Sequence, residues 1–98
     1  MKGHDLITQE RKRQIEEEGF GQEHDSVHSS DVLVAAAIAY AMYDLPGSSD
    51  VAEDYWPWEN EWWKPKNHLK NLVRAGALIA AAIDRLKEEE EESASQIS

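Results

Sequence analysis

Polar and apolar positions are spread very unevenly along this chain. The first 25 residues and the last dozen are mostly polar, and apolar positions crowd into residues 32–43 and 69–86. Leu6, Ile7 and Ile15 make a narrow stripe in a charged stretch, which predicts a solvated helix over 6–18 that stops at Gly19. Residues 20–30 are polar and turn-like. Ser29 or Ser30 can cap a second helix over 31–43, with Asp31 in the first turn, where negative charge suits the helix dipole. That helix is apolar nearly all round, the pattern of the buried centre of a bundle. Leu45-Pro46-Gly47-Ser48-Ser49 ends it.

Residues 50–65 read as one long connection, and all four tryptophans fall inside it. Connections of that length are usually functional or packed as lids. A last helix is predicted over 66–90, where Leu69, Leu72, Val73, Gly76, Ala80, Ile83 and Leu86 recur at helical spacing. Small residues from 75 to 82 allow a neighbouring helix to come close. There is no internal repeat. The expectation is an all-α chain: three main helices, a Trp-rich loop between the second and third, one domain over 1–90, and a disordered acidic tail over 91–98. A core this small is marginal alone, so pairing of two chains into a larger bundle is expected.

Composition narrows the function classes. With 98 residues there is room for one core, and the 41% hydrophobic content is that of a globular protein. The chain has no cysteine, which excludes a disulfide framework, a thiolate zinc site and a cysteine nucleophile. No start-of-chain apolar stretch resembles a signal peptide, and the 32–43 run is too short for a bilayer, so a cytoplasmic protein is the simple expectation. A formal charge of −10 argues against general nucleic-acid binding. Five of the acids sit in the single run 88–92, which reads as a solvated helix end.

Three groups could carry chemistry. Glu17, Glu18, Asp25, His28 and Asp31 cluster around the end of the first helix and the start of the second, and could offer oxygen ligands to Mg²⁺. The plain alternative is solvated acids and helix caps. Lys66, Lys70 and Arg74 recur every four residues, with Lys64 just upstream, and could hold a triphosphate or simply pair with the acidic first helix. Tyr55-Trp56-Pro57-Trp58 and Trp62-Trp63 could stack on a base or cover the end of the bundle. There is no Gly-rich phosphate loop, no Ser-His-Asp order and no HExxH.

Several of these stretches together resemble a group of short phage and prophage proteins: residues 7–15, Glu18-Gly19-Phe20, Glu23-His24-Asp25, His28, 35–40, Trp56-Pro57-Trp58, Trp62-Trp63-Lys64-Pro65 and 72–79. That group is in turn similar to the MazG-like all-α nucleotide pyrophosphohydrolases. Those enzymes cleave nucleoside triphosphates to the monophosphate and pyrophosphate with Mg²⁺ held by an E-x-x-E and an E-x-x-D pair. Here Gln14-Ile15-Glu16-Glu17 and His28-Ser29-Ser30-Asp31 stand in those places, with Gln and His each replacing a Glu. The resemblance implies a metal set drawn from Glu17, Asp31 and Asp25 or His28, triphosphate contacts from Lys70 and Arg74, and base stacking on Trp58 or Trp62; the small core adds the expectation of a homo-oligomer, in the host-cell cytoplasm. The other readings are a nucleotide-binding derivative without turnover, and a non-enzymatic acidic accessory or inhibitor protein that docks on a basic host protein.

Overall fold

The computed structural model describes residues 1–18 and 29–97. Among them the chain is all-α, with no strand. α1 spans Gly3–Arg13 and continues as a π-helical stretch, Gln14–Glu18. α2 spans Ser30–Met42, α3 Ser49–Tyr55 and α4 His68–Ile97, with a 3-10 turn at Asn60–Trp62 before α4.

Local chemistry sets the ends. The Asp5 carboxylate accepts from the Lys2 N–H at 3.0 Å, so α1 begins three residues earlier than its apolar stripe predicts. Ser29 Oγ faces the Val32 N–H at 3.4 Å and caps α2. Asn67 Oδ1 accepts from the Lys70 N–H at 2.9 Å and fixes the start of α4 just after Pro65. Gly47, at φ 76°, makes the left-handed step that turns the chain from α2 toward α3.

The core is the seam between α2 and α4, which run antiparallel. Asp44 meets Asn71 and His68 at one end, and Tyr40 meets Arg74 one turn further along. Between them Leu33, Ala36, Ala37 and Tyr40 of α2 pack on Ala75, Leu78, Ala81 and Ala82 of α4. Alanines on both sides let the helix axes approach closely. α3 packs on α2 through the fully buried Ala52. α1 lies on α4 and makes no packing contact with α2. Ile7 fills the space above Gly76, where an added Cβ would stand 2.6 Å from Ile7 Cδ1. Arg11 Nη2 pairs with Asp84 at 3.0 Å beside it.

Three expectations change. The connection 50–65 is not one loop, because Ser48–Ser49–Asp50 starts the short helix α3 inside it. α2 is not buried all round: Val34 and Ile38 remain about 40% exposed, since its neighbours α3, α4 and the tryptophans all lie on its other sides. α4 runs on to Ile97, through the acidic run and across the segment read from sequence as a disordered tail. Among the described residues no helix is long and apolar enough to cross a membrane.

Candidate functional site

The tryptophan segment is built onto Tyr40. Trp56 meets the Tyr40 ring edge-on at 5.4 Å, Trp63 packs tilted against it at 5.0 Å, and Trp58 stands edge-on to Trp56 at 5.1 Å. The Trp56 indole N–H donates to the Glu59 carbonyl at 3.0 Å, which closes the turn between the two Trp pairs. Trp62 is left 63% exposed. Three of the four indoles are therefore committed to packing, and two of them, Trp56 and Trp58, also line a cleft.

That cleft holds about 750 Å³ and is open on one side. Its aromatic wall is Tyr40, Trp56, Trp58 and Trp62; α4 contributes Arg74 and Leu78, and Lys64 stands at the rim. The opposite wall is the end of α1, where Glu10, Arg13, Gln14 and Glu17 line it. The volume suits a drug-sized or nucleotide-sized molecule, and the mix of apolar rings with a few polar groups is that of small-molecule sites.

The charges in the cleft are partly spoken for. Arg13 binds Glu10 through two nitrogens, at 2.7 and 2.8 Å, and reaches Glu17 at 3.1 Å. Burial works to raise the Glu10 pKa, but the hydrogen bond and charge of Arg13, the charge of Arg74 and the Gln14 amide together hold it below the ordinary 4.5. Arg74 Nη1 donates to the Lys64 carbonyl at 3.2 Å and faces the Tyr40 hydroxyl at 3.4 Å, with its guanidinium 5.6 Å from the Tyr40 ring centre. These contacts hold Arg74 beside the cleft through Nη1, and Nη2 makes no hydrogen bond to another of the described residues.

Two side chains here hold buried polar atoms with no hydrogen-bond partner among the described residues: Arg11, at Nε and Nη1, and Gln14, which is only 2% exposed, at Oε1. Gln14 Nε2 donates to Glu10 Oε2 at 3.3 Å, which decides the orientation, because the flipped amide would set oxygen against carboxylate. A buried acceptor left unpaired costs about 1–3 kcal/mol. It sits where the α-helix widens into the π stretch, an irregularity common at functional sites.

The residues named from sequence divide between cleft and elsewhere. Arg74, Trp58, Trp62 and Glu17 all line the cleft. Lys70 is exposed on α4 and does not line it, and Asp31 is exposed in the first turn of α2, also outside it. Asp25 and His28 lie outside the described residues. Glu17 and Asp31 thus share no cleft, and Glu17 is paired with Arg13. Among the described residues no group of three or more acidic or histidine side chains stands close enough together to hold a metal ion.

Sequence reasoning did not single out Glu10, Arg13 and Tyr40 as lining residues. Glu10, Arg13 and Glu17 follow a three-then-four spacing that puts them on one side of a helix, and Gln14 adjoins it. That signal was present but is shared by most charged helices. No family model, no curated protein and no solved structure matches the chain.

Proposed function

We propose that this protein binds a small ligand with a flat ring and an anionic group in the cleft between α1 and the tryptophans, a nucleotide being the class that fits best. The ring would lie against the Trp58 and Trp62 face, where stacking contributes about 1–3 kcal/mol per base. The anionic group would meet Arg74 Nη2 and Lys64, cations that complement phosphate oxygens. The observation that carries the reading is the cleft itself: a hollow of ligand size with an aromatic wall, Arg74 beside it, and Gln14, whose buried Oε1 lacks a partner, in its lining. Oε1 is closed to solvent, so a ligand N–H reaches it only when the amide turns toward the cleft. Binding of this kind involves no bond-breaking step.

The support for a nucleotide, beyond this geometry, is the resemblance to short phage proteins that are themselves similar to MazG-like enzymes. Binding without turnover accords with the missing glutamates at positions 14 and 28. The test uses nucleoside mono-, di- and triphosphates at about 1 mM, the weak end of specific binding, with and without Mg²⁺, read by tryptophan quenching and thermal shift. Gln14→Leu has a signature of its own. It removes the unpaired acceptor and the long Nε2–Glu10 hydrogen bond together, which largely offset each other, so native stability stays within about 1 kcal/mol while affinity falls about tenfold or more. If no nucleotide shifts either readout, or if Gln14→Leu simply unfolds the protein, the reading fails. Pyrophosphate release with Mg²⁺ would promote it from binding to hydrolysis.

A second reading, docking on a basic protein surface, is favoured by the exposed Trp62 beside Glu59 and Glu61. Trp62→Ala separates the two: it weakens nucleotide quenching on the first reading, and leaves it untouched on the second.

A further inference from the structure

On the side of the molecule facing away from the cleft, α4 presents an apolar stripe whose large side chains stay half-exposed among the described residues. Leu69, Leu72, Ile79, Ile83 and Leu86 are each 44–62% exposed. They follow the three-and-four spacing of a helix that packs along its length on another helix, broken only at Gly76, which Ile7 covers. Val34 and Ile38 of α2 lie on the same side. In an antiparallel pair, residues turned the same way from the shared seam face one direction, and both stripes are turned by roughly 100° from it. Tyr40, Arg74 and Leu78 are turned the other way, toward the cleft.

The extent of this face says what kind of partner it needs. At about half exposure apiece, these large aliphatic side chains leave on the order of 600 Å² of apolar surface, at the top of the range of an isolated monomer and approaching the ~800 Å² per partner of a stable interface. No charged residue interrupts the stripe between Leu69 and Leu86.

We infer that the face is closed by a second copy of this chain, with α4 packed antiparallel on the partner's α4. Charge selects both occupant and direction. The start of α4 and its approach are purely basic, with Lys64, Lys66, Lys70 and Arg74 and no acidic residue between Trp62 and Ile83. The far end is acidic on balance, with Asp84 and the run 88–92 against Arg85 and Lys87. A two-fold axis perpendicular to the helices, passing midway between Leu72 and Ile83, sets each basic end beside the partner's acidic end. A two-fold axis along the helices would instead bring both acidic ends together, in a chain of net charge −10. The chosen arrangement is isologous, completes a four-helix layer from two α2–α4 pairs, and leaves both clefts open.

Sedimentation of the whole chain at up to ~100 µM is expected to show twice the chain mass, since assembly follows mass action. Ile79→Lys is expected to sediment as a monomer with its helical circular dichroism retained, because the replaced side chain is half-exposed in the chain itself. The absence of native cysteine makes direction testable by single introduced thiols. Leu69→Cys mixed with Leu86→Cys is expected to give a crossed disulfide under mild oxidation, and Leu69→Cys alone none. A wild-type monomer at the highest concentration, or an Ile79→Lys dimer, overturns the interface. Self-crosslinking of Leu69→Cys, or a dimer without the crossed product, overturns the antiparallel arrangement.

Discussion

Replacement of Asn71 by aspartate tests how the tryptophan wall is held to the helices. Asn71 is fully buried, and every polar atom of its amide is used. Oδ1 accepts from the Lys66 N–H at 2.7 Å, while Nδ2 donates to the Lys66 carbonyl at 3.1 Å and to Asp44 Oδ2 at 2.9 Å. Aspartate has the same shape and no donor. In Asn71→Asp two hydrogen bonds, worth about 1 kcal/mol each, become contacts between like-signed oxygens. The new charge is also buried beside a carboxylate, and together these changes cost about 3–5 kcal/mol. In a domain whose whole stability is on the order of 5–15 kcal/mol, that is a third or more.

The same surroundings raise the pKa of the introduced carboxyl in the folded state above its unfolded value. A raised folded pKa means that the deficit is full at high pH and shrinks as pH falls through the folded pKa. The gap between variant and wild type should therefore narrow as pH drops from about 7 toward about 4. Urea unfolding followed by tryptophan fluorescence reports it, because Trp56, Trp58 and Trp63 pack on the core. Asn71→Ala, which opens a cavity and adds no charge, should lose about 2–3 kcal/mol with a much weaker pH dependence. A loss below about 1 kcal/mol for Asn71→Asp, or a gap that does not change with pH, would refute the reasoning.

Three further outcomes are expected. Leu33→Ala, at the fully buried centre of the α2–α4 seam, should cost about 3–5 kcal/mol, and a thermal midpoint within a degree of wild type would contradict the packing described. Gly76→Leu drives a side chain into Ile7 and should cost about 1–3 kcal/mol; Ile7→Ala in the same chain should recover part of it, and strict additivity of the two would show that they do not touch. Glu10→Gln should flatten the acid side of the stability profile. A carboxyl held below 4.5 contributes stability that is present above that pH and lost as pH falls through the folded pKa, so identical wild-type and variant midpoints from pH 7 down to about 3 would exclude the Glu10 contribution.

What the sequence disclosed depended on how local the cause was. Ser29 and the apolar run after Asp31 predict α2 within a residue of where it starts, because capping and periodicity act over one turn. Gly76 among alanines announced a close helix contact, and Ile7 supplies it. The alternation of Leu69 to Leu86 was legible as a face, but which neighbour it meets was not: α2 takes Ala75 and Leu78 instead, one step round the helix. α3 escaped notice because seven residues between Pro46 and Pro57 carry too few turns for a periodic signal. At the cleft, Arg74, Trp58 and Trp62 were legible as cation and aromatic types out of place in an acidic chain. Asn71 and Gln14 were not, since a lone amide gains meaning only from the three-dimensional partners it has, or lacks.

The widened turn at Gln14–Glu18 has a consequence for how this chain tolerates change in length. Its backbone rings close one residue further along than those of an α-helix, so the stretch behaves as a helix with a single surplus residue spliced in. Side chains beyond the splice are swung by about 100° from the heading an uninterrupted rod would give them. Excising one residue there would leave a continuous rod, still able to lie on α4 through Ile7 and Arg11, yet it would re-aim Glu17 out of the ligand-sized hollow. A deletion usually counted as damage would act at this point as a rotation.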